Sequence, residues 1–544
     1  MPNVPIDPAD SAPIALRGRV VVMNDAPRTV FDDAIVYADN GSIVDVLGPG
    51  VSAPAGFENT TVIDTGGTIY PGLIELHNHL PYDVLPLWHV PKRYGNRDQW
   101  GGSNPDYRRL ITGPMQAIGS APATVAAIVR YIELRCLLGG TTTSQGVTLA
   151  KSKVTVTHFH GLVRNVEATG DAELPNAATH VADVAVKDAE TFLEAISGKK
   201  KKILHLAEGT DTAAHNHFAA LQIGQGKWAI TNNLIGIHCV ALNDEDFNVF
   251  AAHGGSMVWS PFSNLLLYGQ TADLAAALKH KVPVALGSDW SPSGSKNLLG
   301  ELKVARLAAP LSGAVVSDED LVAMATCMPA SMLGWDKHIG TVQQKRRADL
   351  LVVRGRTGDP YSSLIDATEA LIDLVVINGV PRAGSTAIMT ALGLTAGTEN
   401  LSVGGQTKVL NLAQKTASPD VGAVSAADAQ STLHQALADL PNGARTAAFA
   451  ALPDDHIRLA VEGLVDNGMT SRPHLLYHGE ITGADYKPPG ESSLMMAAPP
   501  EPLPSITLDP LAAADTPGFY DTIKNEANLP AAVRDGLVKF KPGK

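Results

Sequence analysis

The chain has 544 residues, too many for one ordinary domain, and a composition usual for a soluble globular protein. Its net charge of −13 argues against nucleic acid as a main partner. The three cysteines, Cys136, Cys239 and Cys327, are too scattered for a disulfide framework or a cysteine-built metal site, which fits a reducing cytoplasm.

No apolar run approaches the ~20 residues that a membrane-spanning helix needs, so no membrane partner is expected. The stretch Met1-Pro2-Asn3-Val4-Pro5-Ile6-Asp7 has no basic region and no apolar core. It does not read as a signal peptide, and a cytoplasmic location is the expectation.

Residues 14–70 read as short strands. Ile14 to Met23 is apolar and β-branched, while Ala34 to Ala38 and Ser42 to Leu47 flank the hairpin signal Asp39-Asn40-Gly41. From Ile69 to about Gly340 strands alternate with helices. Val125, Ile128, Val129, Ile132 and Cys136 keep helical spacing until Gly139-Gly140 stop the helix. The expected strands are Ile74 to Leu76, one starting at Thr141, Val163 to Glu167, His180 to Val186, Lys202 to Leu206, Leu234 to Val240, Ser256 to Trp259 and Val282 to Gly287. Asp188 to Ile196 and Thr271 to His280 are among the intervening helices, and Ser317 with Asp320 predicts a capping box before Leu321 to Cys327. This α/β pattern predicts a (β/α)₈ barrel of the TIM type.

Ala348 to Val353 and Asp373 to Gly379 return to strands that rejoin the N-terminal ones in a small sheet domain. Ser425 to Leu440 predicts a capped amphipathic helix with Ala429, Leu433, Leu437 and Leu440 on one face. Lys487 to Ser505 is Pro-rich and reads as a linker, and the last forty residues as a short helical tail. The expected units are 1–68 and 345–394 for the sheet domain, 69–344 for the barrel, and 395–544 for a C-terminal extension.

The chemistry concentrates at strand ends. Pro71 to His79 closes in a His-x-His pair, and residues i and i+2 of a strand face one side. His205, three residues before Glu208, then His238 and Asp289 each close their own apolar run. In a barrel these ends share the carboxyl face, where active-site groups collect. His77, His79, His205 and Asp289 are therefore predicted to hold one divalent metal. The three imidazoles and one carboxylate suit Zn²⁺ or Fe²⁺ better than Mg²⁺ or Ca²⁺. Such an ion lowers the pKa of a bound water from 15.7 to about 7. Asp289 is expected to take a proton from that water, Glu208 to carry a proton to a nitrogen, and His238 to donate to the charge developing on the substrate.

Other histidines carry the same spacing without the context. His215 and His217 fall in an expected helix, where i and i+2 do not share a face. His158 and His160 precede the third strand. A binuclear variant would need a carboxylated lysine on the fourth strand, and Lys187 is the nearby candidate. Aromatic residues are only 5% of the chain, yet Tyr82, Trp88, Tyr94, Trp100 and Tyr107 crowd the segment after the first strand. Trp259 and Trp290 stand at the ends of the seventh and eighth strands. Tyr82, Trp88, Trp100, Trp259, Asn264 and Trp290 are the predicted substrate-binding residues, suited to a flat or apolar small molecule.

The segments Pro71 to His79, His205 to Glu208, His238 and Gly287 to Asp289 resemble the amidohydrolase superfamily, and the His-x-x-Glu spacing resembles its mononuclear chlorohydrolase/deaminase branch. Ser260-Pro261-Phe262-Ser263-Asn264, Ala325 to Ala330 and Ile339 to Leu350 are similar to further segments of that branch. The resemblance covers residues 14–385 and implies a (β/α)₈ barrel with a composite β-sandwich. It also implies the same ligands and proton-transfer groups, a small-molecule substrate, and a homo-oligomer as the family habit. The segment from Leu80 to about Gly119 and the region after 395 depart from it. The expected reaction is hydrolytic deamination, or displacement, at a heteroaromatic or amidine carbon. Cleavage of a linear or cyclic amide on an aryl-bearing substrate uses the same ligand set, and a non-catalytic assembly role is the reading from another class.

Overall fold

The computed structural model describes residues 11–101, 104–119, 121–146, 161–180, 183–414, 419–442 and 502–542. His158, His160 and most of the Pro-rich stretch lie outside the described residues.

Both flanks of the chain meet in one nine-stranded sheet, in the order Glu399–Val403, Gln406–Leu410, Val380–Ser385, Ile372–Ile377, Leu350–Arg354, Val62–Pro71, Ile14–Val21, Val30–Asp39, Ser42–Leu47. Asn40 and Gly41 take φ of 48° and 76°, the left-handed backbone that a tight hairpin turn requires. Leu16, Val36, Ile69, Leu350, Val352 and Leu374 bury together with Ile388 and Met389 of the helix Thr386–Ala391. Glu399–Val403 and Gln406–Leu410 pair with each other and with Val380–Ser385, so the sheet runs past the expected boundary at 394. Their alternation is short and mostly polar, too weak a pattern to announce an edge hairpin.

Between the flanks lie eight parallel strands among the described residues, in two sheets. Leu73–Glu75, Thr141–Ser144 and Arg164–Asn165 form one. Ala178–His180, Lys202–Leu206, Leu234–His238, Ser256–Trp259 and Val284–Leu286 form the other. Number, direction and chain order agree with the barrel expectation, and helices such as Pro122–Leu138 and Asp244–Ala252 intervene. The hydrogen-bonded ladder among the described residues is not closed. Its strands are two to five residues long, too short to overlap at both seams. Single main-chain bonds span the gaps: Ala177 N–H donates to Val166 O at 3.0 Å, and Asp289 N–H to His77 O at 3.0 Å.

Two elements differ from expectation. The fourth strand is Ala178–His180, and Val186–Asp188 form a helical turn leading into Ala189–Ile196, because polar Lys187 and Asp188 suit a helix start better than a strand interior. The helix capped by Ser317 covers Asp318–Ala323, and a second one, Cys327–Leu333, follows Thr326.

The helix Ala426–Ala438 forms with Ser425 as its cap and buries Ala429, Leu433 and Leu437. Leu440, just past it, is buried as well. The tail carries helices Pro517–Asn525 and Ala531–Leu537. It is anchored by buried Asp509, whose carboxylate accepts from Arg135 Nη1 and Nη2 at 2.9 Å each and from Lys296 Nζ at 2.5 Å. Arg135 also donates to Asp83 O at 2.6 Å and Ser291 Oγ at 2.5 Å, so one carboxylate ties the tail to the segments after the first and eighth parallel strands. Farther along, Asn528 Nδ2 donates to Val90 O at 3.1 Å and Arg93 Nη2 donates to Asn528 O at 3.0 Å. No helix among the described residues is long and apolar enough to cross a membrane.

Removing Asp509 would leave two buried cations without their carboxylate. Asp509→Ala is expected to destabilise the fold by about 3–5 kcal/mol, read as a lower denaturant midpoint at unchanged slope. A midpoint within error of wild type would contradict this anchoring role.

Candidate active site

The parallel strands end close together, and the sequence just beyond them shapes the site. The first strand stops at Glu75, so His77 and His79 follow it rather than end it. Asn78 between them faces the other way, its amide donating to Ser288 Oγ at 3.1 Å and its main-chain N–H to Gln145 Oε1 at 3.0 Å. The two histidines are thus left on one side. Asp289 N–H donates to His77 O at 3.0 Å and His79 N–H to Asp289 O at 2.6 Å, a small parallel bridge between the ends of the first and eighth strands. This close approach requires glycine at 287, where a Cβ would lie 2.5 Å from the His77 Cβ. Buried Glu75 braces the turn by accepting from Ser288 N–H at 2.9 Å.

His205 lies in the fifth parallel strand and His238 ends the sixth. His238 and Asp289 take φ of 69° and 67°, a left-handed backbone that side-chain-bearing residues adopt mainly where the surroundings over-determine it. The result is a compact cluster. His77 Nε2 is 3.1 Å and His79 Nε2 3.6 Å from Asp289 Oδ1. The His77 ring centroid is 4.8 Å from that of His205 and 4.9 Å from that of His238. The donor atoms of His77, His79 and Asp289 lie within 4.8 Å of one another, as do those of His77, His205 and His238.

Electrostatics fit a cation site. Burial, then the neighbouring His77, pushes His79 down to about 3, and burial with the same neighbours pushes His205 well down. Both rings are therefore neutral and offer a lone pair. The surrounding imidazoles hold the Asp289 carboxyl well below the usual range against the opposing effect of its burial. Both His77 nitrogens and His205 Nδ1 are buried without a hydrogen-bond partner among the described residues. Unpaired buried nitrogens in a set of N and O donors are what a divalent ion would satisfy.

Glu208 stands beside this cluster. Its Oε1 accepts from Tyr268 OH at 2.7 Å, whose oxygen accepts from Trp100 Nε1 at 2.8 Å. Its Oε2 lies 3.8 Å from both Arg97 Nη1 and His238 Nε2. Burial raises its carboxyl above the ordinary value, so it holds a proton more tightly than a solvated glutamate does.

Residues 176–382 match the Amidohydrolase family. Over this stretch the chain is similar to the amidohydrolase superfamily. A 5-methylthioadenosine/S-adenosylhomocysteine deaminase of Moorella thermoacetica is 28% identical over 391 residues, 63% of this chain and 88% of that one. A zinc-bound adenosine deaminase of Xanthomonas campestris has a similar fold, with TM-score 0.54 and 20% identity over 68% of this chain and 92% of that one. Guanine deaminase of E. coli gives TM-score 0.52 at 16% identity, covering 68% of this chain and 99% of that one.

The predicted ligands His77, His79, His205 and Asp289 come together with Glu208 and His238. His238 sits closer to the ligands than a purely polarising role requires. Its Nδ1 lies 2.9 Å from Asn264 Oδ1, and with the proton on Nδ1 the neutral ring presents a lone pair at Nε2. Asn264 and Trp259, expected at the substrate, have their polar atoms bonded within the protein. Asn264 Nδ2 and Trp259 Nε1 both donate to Thr271 Oγ1, at 3.3 and 2.6 Å, so this group orients His238 from behind. Tyr82, Trp88, Trp100 and Trp290 do gather with Tyr107 near the cluster. Trp290 is 5.7 Å from the His79 ring, 5.1 Å from Tyr82 and 6.2 Å from Trp100, and Trp88 is 6.2 Å from Tyr107. His215 and His217 pair with Asp246 and Asp183 on the helix Thr212–Ala219, and Lys187 is exposed. Arg97 and Tyr268, which hold Glu208, carry no sequence signal because their partners lie far along the chain.

His79→Ala and Gly287→Ala are expected to purify with far less metal than wild type while keeping its circular dichroism spectrum. The first deletes a donor and the second displaces His77. Equal metal content across the three proteins would remove the assignment of this cluster as the metal centre.

Proposed function

We propose that this chain is a metal-dependent hydrolase of carbon–nitrogen bonds that deaminates an amino-substituted heteroaromatic ring. The observation that carries this reading is the position of Glu208, its carboxyl raised by burial and held beside a cluster of buried, unpaired imidazoles. The deaminase relatives support the same reading. The reading treats the eight parallel strands as a (β/α)₈ barrel within residues 69–344, and assigns the ion to the mononuclear type, since Lys187 points to solvent.

His77, His79, His205 and Asp289 would hold the ion, with Zn²⁺ best suited to their donors. When bound, it makes an attacking water acidic enough to lose a proton near neutral pH. Asp289, kept ionised by the imidazoles around it, accepts that proton. Glu208 gives its own proton to the ring nitrogen next to the attacked carbon. Left as a carboxylate, it takes the proton of the added hydroxyl as the carbonyl forms and passes it to the departing amine, which leaves as ammonia, and the proton held by Asp289 restores Glu208. Tyr268 and Trp100 hold the Glu208 carboxyl in place for both transfers. His238, whose Nδ1 faces Asn264, donates through Nε2 to the oxygen that adds to the ring when its ring carries a second proton. Trp290 and Tyr82 flank the ligands and suit a flat ring.

The test is ammonia release from a panel of aminated purines, pyrimidines and triazines, with amides as the contrasting set. Glu208→Gln is expected to retain its metal and lose roughly 10²–10⁴-fold in kcat. Full turnover in that variant, or release from amides alone, would overturn this reading.

A further inference from the structure

Several buried tyrosine hydroxyls among the described residues have protein partners. Tyr268 OH bonds to Glu208, Tyr70 OH donates to Pro360 O at 2.7 Å, and Tyr131 OH donates to Asp509 O. The hydroxyls of Tyr82 and Tyr107 have no hydrogen-bond partner among the described residues, although each residue is only 1% exposed. Leaving a buried hydroxyl unpaired is costly, and such groups call for a specific explanation. Both rings pack on Trp290, at 5.1 and 6.3 Å, and Trp290 in turn is 5.7 Å from the ligand His79. Tyr107 also lies close enough to Tyr82, Asp289 and Glu208 to feel their charges. Tyr107 therefore sits in the aromatic wall near the reacting groups, with Tyr82 beside it against Trp290.

We propose that Tyr82 and Tyr107 contact the substrate directly, their hydroxyls binding a hydrogen-bonding group on it besides the amine that leaves. This rests on the deaminase reading and narrows it. A purely apolar ring would strand both hydroxyls, so the substrate carries a polar ring edge or a hydroxyl-bearing substituent. Sites built to hydrogen-bond a substrate group discriminate strongly against analogues that lack it.

Tyr82→Phe and Tyr107→Phe delete only the hydroxyls and can be tested in the full-length, metal-loaded protein. Adenosine and adenine share the ring and amine but differ in sugar hydroxyls. Each variant is expected to keep its metal content and to melt no lower than wild type. KM and calorimetric Kd should rise about tenfold, with kcat much less affected. Weaker binding of both compounds assigns the contact to the ring edge, and weaker binding of adenosine alone assigns it to the sugar. Unchanged Kd for both compounds in both variants overturns the proposal, as does a lower melting temperature with unchanged Kd. If wild type binds them without releasing ammonia, the deaminase reading fails and the contact is judged on Kd alone. Binding of neither compound by wild type overturns the proposal.

Discussion

Two main-chain hydrogen bonds, Asp289 N–H to His77 O and His79 N–H to Asp289 O, hold the site together. They fasten the end of the eighth parallel strand to the end of the first, in a place where the ladder itself does not close. The side chains they present are a carboxylate and two imidazoles, which reinforce each other only at short range. The bridge depends on Gly287, since any Cβ there would collide with His77, and on Glu75, which holds the Ser288 turn from beneath. His205 and His238 then need only the ordinary parallel pairing of their strands to reach the same point.

The chemistry around this bridge follows from burial. Desolvation pushes His79, His205 and His238 down and the Glu208 carboxyl up, while the neighbouring imidazoles hold the Asp289 carboxyl low. Two buried carboxyls of one site are thereby pushed in opposite directions, Glu208 up and Asp289 down. Asn264 and Tyr268 bond to His238 and Glu208, Thr271 and Trp100 bond to them in turn, and none of the four belongs to the His/Asp cluster.

The C-terminal tail belongs to the same construction. Asp509 gathers Arg135 and Lys296, and Arg135 reaches the main chain at Asp83 and the side chain of Ser291. The aromatic segment after the first strand is thus held from its far side by residues more than 400 positions later in the chain. The relative from Moorella aligns with 63% of this chain, so much of the chain lies outside that comparison.

Much of this was legible before any coordinates. The strand ends at His205, His238 and Asp289, the His-x-His pair, the Asn40-Gly41 hairpin and the Ser425-capped helix are local patterns, and local patterns survive in the primary structure. The residue types alone also point to the class of metal proposed, because imidazole and carboxylate donors carry their chemistry with them. What folding decided was everything that depends on partners distant in the chain. Asn264 and Trp259 turned out to serve His238, Arg97 and Tyr268 to hold Glu208, and Asp509 to anchor the tail. Spacing shows which residues share a face, but not which atoms that face will meet, and the unpaired hydroxyls of Tyr82 and Tyr107 could only be recognised once their surroundings were packed.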